Sequence, residues 1–210
     1  MWDVFAAAAL ALVSPADTQT VDGGSAERCE LHVWPGSGLS SIYSGWFHGG
    51  IVNGAVTGRD GYPTVPTEPI DTVNQVELLK AAKLNILIQQ PNSRVIYHDV
   101  ALPSRTIRTA TTRIDPSTAP CYAEFIVDDV FFQQDIVNGS FLKVLFRYRA
   151  FGTGATPDKT FGTWVKTRLL LLPPKPDTDM AAAATEVRSA FSNNVKLFAA
   201  ALLKPAKNKR

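Results

Sequence analysis

The sequence predicts a single α+β domain in which a mostly antiparallel or mixed sheet packs against two helices, the longer one C-terminal. Three observations carry this prediction: β-rich runs flank Asn138-Gly139, an apolar stretch of helical spacing follows Thr72, and a second one occupies residues 179–203. Apolar residues make up 45% of the 210 residues and charged residues 19%, a balance that can bury one sizeable core. We therefore expect one folded domain over residues 28–203.

The N-terminal segment has the pattern of a secretory signal. Val4–Val13 is an uncharged apolar run, too short for a bilayer span of about 20 residues, and Ser14-Pro15-Ala16 supplies the small residues of a cleavage site. No Lys or Arg precedes the run, which departs from the usual basic start of such signals, and a short buried helix is the alternative. We expect residues 1–16 to be a signal peptide, 17–27 a flexible arm, and the mature protein periplasmic or secreted.

The two cysteines agree with export. Cys29 and Cys121 each lie at the edge of a predicted strand, and a lone pair of cysteines in an oxidising compartment usually forms a disulfide. Two separate buried thiols are the alternative. Glu27 and Arg28 put charge where lipoprotein acylation needs small residues, so Cys29 is not expected to carry a lipid anchor. We predict a Cys29–Cys121 disulfide.

A long glycine-rich segment follows the first predicted strand. Cys29–Trp34 alternates as a half-buried strand does, and Pro35-Gly36 ends it. Residues 36–69 are rich in glycine and keep no helical or strand period, although residues 50–57 could form a short strand. Loops of this length are uncommon in compact domains and are often functional. We therefore take the segment as the candidate binding surface.

A helix and a strand are predicted next. Thr72 and Gln75 fit a capping box, in which the two side chains satisfy each other's free backbone donors. The helix should end within residues 84–90, ahead of Pro91, and a strand should cover Arg94–Leu102. The apolar residues of the helix recur at near-helical spacing: Val73, Val76, Leu79 and Ala82.

The clearest element is a β-hairpin over residues 121–150. Asn-Gly is the preferred pair for a type I′ turn, because both positions need positive φ. Pairing outward from Asn138-Gly139 gives one apolar face and one charge-matched face. The apolar face combines Ala123, Phe125 and Val127 with Leu142, Val144 and Phe146. The predicted cross-strand pairs are Phe131–Phe146, Asp129–Tyr148, Asp128–Arg149 and Gln134–Lys143.

One more strand and the last helix complete the domain. The strand covers Thr160–Leu172 and ends before Pro173-Pro174. Thr178 or Asp179 can cap the helix, and residues 204–210 form a basic tail. Its apolar stripe is Val187, Phe191, Val195, Phe198 and Leu202. Because the strands are distributed between two helices, we expect both helices to pack on one face of the sheet.

This order of elements resembles the periplasmic α/β domains of curli-secretion and penicillin-binding-protein-activator lipoproteins. The resemblance rests on the hairpin YAEFIVDDVFFQQDIVNGSFLKVLFRYR, the strand FGTWVKTRLLLL and the alanine-rich last helix, and it covers residues 28–203. The lipidated cysteine of those proteins is missing here, and no functional residue carries over. The resemblance implies an interaction role in the cell envelope.

The candidate site residues lie in the glycine-rich segment. His48 lies within GWFHGG, where glycine permits close backbone approach and the aromatic rings could stack on a ligand. Trp46 and Phe47 could instead pin the loop onto the core. The candidate binding residues are Tyr43, Trp46, Phe47, His48 and Tyr62. By contrast, His32 and His98 lie in predicted strands, where a partly buried, hydrogen-bonded histidine is the usual outcome.

No motif for catalysis or for metal binding is present. The sequence contains no H-E-x-x-H, no Walker A pattern and no G-x-G-x-x-G after a strand, and GSGLS does not fit a nucleophile elbow. His48 and Asp60 are too few ligands for catalytic zinc. Asp128 and Asp129 are adjacent in a strand and should face opposite sides. We therefore expect no catalytic residue, no metal and no cofactor.

The charge distribution narrows the class of partner. A net charge of +2, with a basic run confined to the tail, does not favour nucleic acid. We expect a non-enzymatic exported protein that binds another cell-envelope component, with no stable membrane span after signal removal. Two alternatives use the glycine-rich segment: an envelope hydrolase with His48 and Asp60, and a glycan or small-molecule binder that stacks its ligand on Tyr43, Trp46 and Tyr62.

Overall fold

The structure, a computed structural model, describes residues 29–44, 49–52, 65–135 and 138–205, with the backbone alone for 42–44 and 49–52. These residues form an α+β domain with a mixed sheet, as predicted. The strands are β1 Glu30–Trp34, β2 Leu39–Ser44, β3 Gly49–Val52, β4 Arg94–Tyr97, β5 Tyr122–Asp135, β6 Gly139–Phe151 and β7 Lys159–Leu169. The helices are α1 Thr72–Ala81, α2 Leu84–Leu87, α3 Ser104–Thr109 and α4 Met180–Leu202, and a short 3-10 helix covers Glu68–Ile70.

The long strand β5 organises the sheet. One edge of β5 pairs antiparallel with β6. The other edge pairs parallel with β1 over its first half and parallel with β2 over its second half. Beyond these strands, β4 lies parallel to β1, while β3 and β7 lie antiparallel to β2 and β6 respectively. The sheet is therefore mixed, with β1 and β2 forming one interrupted line beside β5.

The strands β2 and β3 correct the prediction of a long loop over residues 36–69. Only a short strand near residues 50–57 was expected there, and β3 covers Gly49–Val52. β2 reads LSSIYS, which lacks a clear hydrophobic alternation. This strand forms because its backbone pairs with the second half of β5. The partner lies about 90 residues away in the sequence, so the local pattern of apolar residues does not predict the pairing.

Gln75 stabilises the interruption between β1 and β2, which is the short connection that separates the two strands. Its Oε1 accepts a hydrogen bond from the Gly36 N–H at 2.8 Å, and its Nε2 donates to the Ile70 carbonyl at 2.8 Å. A Cβ atom on Gly36 would lie 3.1 Å from Cγ1 of Val127, so the close approach favours glycine. Gln75 of α1 therefore satisfies buried backbone groups of two other segments.

The predicted capping box of Thr72 and Gln75 is wrong. Asp71 is the N-cap, and its carboxylate accepts a hydrogen bond from the Asn74 N–H at 2.8 Å. Helix α1 ends at Ala81 because Lys83 adopts a positive φ of 50°, and the separate turn α2 follows. The predicted core residues Val76 and Leu79 are buried, whereas Val73 is 68% exposed.

The segment after α2 also differs from its prediction. The strand β4 stops at Tyr97, well before the expected end at Leu102. Residues Ser104–Thr109 form the short helix α3, which was not predicted. Its Ile107 packs with Trp34 and Ile126 on the sheet face opposite the main core. The two predicted helices share one face of the sheet as expected, since α1, α2 and α4 all contribute to the main core. The unpredicted helix α3 lies on the other face, and its single buried apolar residue gives no periodic signal.

The hairpin is confirmed, but its register is not the predicted one. Asp135 pairs with Gly139, and Asp135 accepts hydrogen bonds from the N–H and Nδ2 of Asn138, so the connection is longer than a two-residue turn. A bulge at Asp128 then adds one residue to β5. The observed pairs that replace the predicted ones are Val127–Phe146, Phe125–Tyr148, Glu124–Arg149, Asp129–Leu145, Phe131–Lys143 and Gln134–Ser140.

The predicted apolar face of the hairpin survives this change. The bulge reverses the inward and outward alternation along β5, so that the core takes odd-numbered residues before it and even-numbered residues after it. Phe131 consequently lies on the outer face, away from Phe146. The predicted members Ala123, Phe125, Val127, Leu142, Val144 and Phe146 are all buried in the main core.

The C-terminal elements are close to their prediction. β7 ends at Leu169 rather than Leu172, and Asp179 caps α4 through hydrogen bonds from the N–H groups of Ala181 and Ala182. Asn194 fixes α4 on the sheet, because its Nδ2 donates to the Leu142 carbonyl at 3.0 Å. The whole predicted stripe is buried: Val187, Phe191, Val195, Phe198 and Leu202.

The predicted disulfide is present. Cys29 and Cys121 are bonded with their Cα atoms 4.6 Å apart, and the bond joins the start of β1 to the start of β5. No helix in the described part of the chain is both long enough and apolar enough to cross a bilayer.

Candidate functional site

The predicted binding residues fall mostly outside the described residues. Trp46, Phe47, His48 and Tyr62 lie there, and for Tyr43 the backbone alone is described, within β2. Asp60, the partner of His48 in the hydrolase alternative, also lies outside. A binding role for the segment 36–69 therefore stays a prediction.

The structure brings together four side chains that the sequence keeps apart, Glu30, His32, His98 and Asp115, which we call the histidine cluster. Nδ1 of His32 lies 3.0 Å from Nε2 of His98 and 3.9 Å from a carboxylate oxygen of Asp115. On the other side of the ring, Nε2 of His32 lies 3.2 Å from the Glu30 carboxylate. The potential ligand atoms of His32, His98 and Asp115 all lie within 4.8 Å of one another.

Strand pairing positions the cluster. Leu31 and Val33 of β1 point into the main core, so Glu30, His32 and Trp34 lie on the opposite face. β4 runs parallel beside β1, and the His98 N–H continues this pairing by donating to the Val33 carbonyl at 2.9 Å. His98 follows β4 directly, which brings its ring beside that of His32.

Aromatic rings fix the two imidazoles. The Trp34 ring stacks on His98 with centroids 4.1 Å apart and planes 2° apart. The Tyr122 ring lies against His32 with centroids 4.7 Å apart. His32 is only 2% exposed, so its ring has little freedom to rotate away from its partners. The cluster is therefore preorganised by packing as well as by hydrogen bonds.

The electrostatic environment differs between the members of the cluster. A hydrogen bond from Ser117 holds the pKa of Glu30 below its usual value, and the hydrogen bond with His32 acts in the same direction. Burial lowers the pKa of His98, and the neighbouring His32 lowers it further. Around neutral pH the cluster thus combines an ionised Glu30 with a neutral His98.

A buried ion pair supports the segment that carries Asp115. Nε of Arg149 donates to the Glu124 carboxylate, and Nη1 of Arg149 donates to the Ala110 carbonyl. Glu124 also accepts from the Ile114 N–H at 2.8 Å. Asp128, the predicted partner of Arg149, accepts instead from Nε of Arg147 at 2.6 Å. The shifted register produces this exchange of partners.

An open pocket adjoins the cluster. It has a volume of about 450 Å³ and is lined by Asp115 and Ser117 on one side and by Thr153 and Gly154 on another. Arg113 also lines it, and its guanidinium is held by the carbonyls of Ser117, Ala119 and Gly152. The Asp115 side chain, 35% exposed, connects this pocket with the buried His32.

A second surface lies on the same side of the sheet, toward the hairpin turn, and we call it the open face. Trp164 is 40% exposed and stacks on Phe131 with centroids 5.5 Å apart. Nζ of Lys143 lies 4.6 Å above the Trp164 ring, and Nζ of Lys166 lies 4.5 Å above the Phe141 ring. The open face comprises Phe131, Phe141, Lys143, Trp164, Lys166 and Arg168.

Asp128 and Asp129 lie between the two sites. They were expected to face opposite sides, but the bulge brings both to the outer side of the sheet. Burial raises the pKa of Asp129, and the Asp128 charge raises it further against the opposing effect of Arg108 and Arg147. One carboxylate oxygen of Asp128 accepts the hydrogen bond from Arg147.

Comparisons with known proteins give similarity at the level of structures alone. No family model matches the chain, and no curated protein matches it. A Xanthomonas campestris protein described as DUF330 is 9% identical with a TM-score of 0.41, over 83% of this chain and 82% of that one. A protein described as uncharacterized is 10% identical with a TM-score of 0.36, over 84% and 89% respectively. Similarities this small carry no argument, and the resemblance to curli-secretion and penicillin-binding-protein-activator proteins stays a prediction.

The histidine cluster could be recognised only in part from the sequence. Alternation in CELHVW places His32 on the face opposite Leu31 and Val33, which was available as a signal. The parallel pairing of β1 with β4 was not predicted, and it is this pairing that brings His98 to His32. Asp115 lies in an irregular segment whose path depends on the Glu124–Arg149 pair.

Proposed function

We propose that the protein is exported and binds an acidic protein of the cell envelope through the open face. The observation that carries the proposal is an exposed Trp164 that stacks on Phe131 and lies under Lys143, with Lys166 and Arg168 further along the same face. Trp and Arg are enriched among the residues that dominate binding energy at protein interfaces. A flat sheet surface with aromatic anchors suits a protein partner better than a small molecule, which needs a concave pocket.

The positive charge of the open face indicates which class of partner it would bind. Three cations lie across β6 and β7 of the open face, and Asp129 is the acidic residue next to them in the register. Opposite charge on a partner would steer its approach and fix its orientation. An acidic protein surface therefore complements the open face, whereas a neutral surface would offer these cations no opposite charge.

The disulfide supports the proposal that the protein is located outside the cytoplasm. Disulfides persist in oxidising compartments and are rare in the reducing cytosol of mesophilic cells. The Cys29–Cys121 bond therefore favours a periplasmic or secreted location, in agreement with the apolar run of Val4–Val13. N-terminal sequencing of the protein from its host envelope is expected to find a start near Asp17. Recovery of intact Met1 from the cytoplasm would contradict export.

Photocrosslinking in host cells tests the binding surface. A photoreactive phenylalanine analogue replaces Trp164, and a matched control replaces Leu197, which has a similar exposure of 41% but lies on α4. We expect an adduct with one acidic envelope protein from position 164 and none from position 197. The charge reversals Lys166→Glu and Arg168→Glu should reduce this adduct at least about tenfold, because two complementary contacts become repulsive.

Three results would overturn the proposed surface. Equal adducts from positions 164 and 197 would mean nonspecific contact. An adduct with twice the mass of the chain would make the open face a self-association surface. An adduct that is unaffected by the charge reversals or by high salt would exclude an electrostatically complementary partner. Thermal unfolding of each variant would show that its fold is retained.

A further inference from the structure

We propose that His32, His98 and Asp115 form a binding site for one divalent transition-metal ion, with zinc as the best-fitting ion. The site goes beyond the proposed function, because it lies at the other end of β5 from the open face and uses none of its residues. Its three ligand atoms would be Nδ1 of His32, Nε2 of His98 and a carboxylate oxygen of Asp115.

The distances between the ligand atoms fit a single ion. Zinc bonds to nitrogen and oxygen are about 2.0–2.2 Å long, which places two tetrahedral ligands roughly 3.4 Å apart. The separation between the two imidazole nitrogens is 3.0 Å, and that between His32 and Asp115 is 3.9 Å. The third separation, between His98 and Asp115, is at most 4.8 Å. The Asp115 side chain, 35% exposed, would turn toward the two imidazole nitrogens to complete the geometry.

Glu30 orients His32 as a ligand. A histidine that binds a metal through one ring nitrogen usually donates the other N–H to a carboxylate or carbonyl, which fixes its tautomer. Nε2 of His32 lies 3.2 Å from the Glu30 carboxylate, so its proton belongs on that side and the Nδ1 lone pair faces His98 and Asp115. Ser117 donates to the same carboxylate and holds it in place.

A hydrogen bond between two imidazoles is the simpler explanation of the 3.0 Å contact. It needs one proton between Nδ1 of His32 and Nε2 of His98, and an ion would take the place of that proton. The simpler explanation does not require a carboxylate on each side of His32. The arrangement of Glu30 behind the ring and Asp115 in front of it matches the usual environment of a metal-binding histidine.

The ligand set selects the class of ion. Imidazole nitrogen suits zinc, copper, nickel and iron, whereas magnesium and calcium prefer ligand sets made of oxygen. Two histidines and one carboxylate leave a fourth position free, as in catalytic zinc sites. Asp115 lines the open pocket of about 450 Å³, so the free position would be accessible to water or to a small ligand from that side.

Zinc binding to the tag-free full chain tests the proposal. Isothermal titration with Zn²⁺ alone is expected to show one ion per chain. Asp115→Asn and His98→Gln should each weaken binding by about a hundredfold or more, because each removes one of three ligands. Glu30→Gln should weaken it by about 10–100-fold, the usual effect of losing a carboxylate that orients a ligand histidine.

A matched control and a second readout separate this site from adventitious binding. Asp177→Asn changes an exposed aspartate in the segment before α4 and should leave zinc affinity unchanged. The visible spectrum of bound Co²⁺ should report a four-coordinate site that is lost in Asp115→Asn. Absence of stoichiometric zinc binding would overturn the proposal, as would equal affinity in Asp115→Asn and Asp177→Asn. Asp115 is 35% exposed at the edge of the open pocket, so its variant should fold even if the His98 variant does not, and circular dichroism would verify this.

Discussion

At the scale of single residues, the environment of a side chain decides its role more than its type does. Asp128 and Asp129 are adjacent and chemically identical. Asp128 forms an ion pair with Arg147, whereas burial and the Asp128 charge raise the pKa of Asp129. The bulge produces this difference, because it removes the strict alternation that would have separated the two side chains.

The raised pKa of Asp129 predicts that Asp129→Asn stabilises the fold in a pH-dependent way. A carboxyl whose pKa is higher in the folded than in the unfolded state destabilises the fold when it is ionised. Asn resembles the protonated form, so the variant should unfold at a higher temperature than the wild-type protein at pH 7. The difference should shrink as the pH falls through the raised pKa and vanish well below the unfolded value of about 3.9, where both states of the wild-type protein are protonated.

Thermal unfolding at pH 7 and at pH 3 measures this effect. Asp177→Asn, at an exposed position, should leave the unfolding temperature unchanged at both pH values. A lower unfolding temperature for Asp129→Asn at pH 7 would mean that the attraction of Arg108 and Arg147 outweighs burial.

At the scale of elements, buried hydrogen bonds from side chains join segments that backbone pairing leaves separate. Gln75 connects α1 with the interruption between β1 and β2 and with the end of the 3-10 helix. Asn194 connects α4 with β6, and Glu124 connects β5 with the segment after α3. Each of these side chains is fully buried, so the loss of one leaves backbone groups without a partner.

We expect Gln75→Ala to lower the free energy of unfolding by about 2–4 kcal/mol, since it leaves the Gly36 N–H and the Ile70 carbonyl unsatisfied in the interior. Urea unfolding followed by circular dichroism would measure the change. Glu77→Ala, at a 63% exposed position of the same helix, should change it by less than about 0.5 kcal/mol. Equal effects of the two substitutions would show that Gln75 does not hold the interruption.

At the scale of the whole molecule, the disulfide and the main core hold the other strands and helices around β5. The bond links residues 92 positions apart and fixes the starts of β1 and β5 beside each other, within the same sheet as the histidine cluster. The main core packs α1, α2 and α4 on one face, and it leaves the other face to α3, the histidine cluster and the open face.

Replacing both cysteines, as Cys29→Ser with Cys121→Ser, should lower the free energy of unfolding by about 4 kcal/mol, because the bond constrains a long loop in the unfolded chain. Chemical unfolding with and without reductant provides the measurement. Reductant should lower the free energy of unfolding of the wild-type protein to that of the double variant. It should leave the free energy of unfolding of the double variant unchanged. Labelling of both thiols in unreduced, unfolded protein would contradict the bond.

The elements that depend on local chemistry could be predicted from the sequence. The periodic stripe of Val187–Leu202 required a helix, and β-rich runs on both sides of Asn138-Gly139 required a hairpin. An even cysteine count and a signal-like N-terminus were enough to predict the Cys29–Cys121 bond. Each of these signals lies within a short window or within the composition of the chain, where period and turn chemistry act.

The register of the hairpin, the strand β2 and the histidine cluster depend instead on contacts between distant segments. The register depends on the hydrogen bond that the Asp135 carboxylate accepts from Asn138. It depends also on a bulge that the apolar pattern alone does not reveal. β2 depends on its pairing with β5, and the cluster depends on three segments that meet beside β1. Contacts between distant segments are selected by the packing of the whole chain, and no local window of sequence records them.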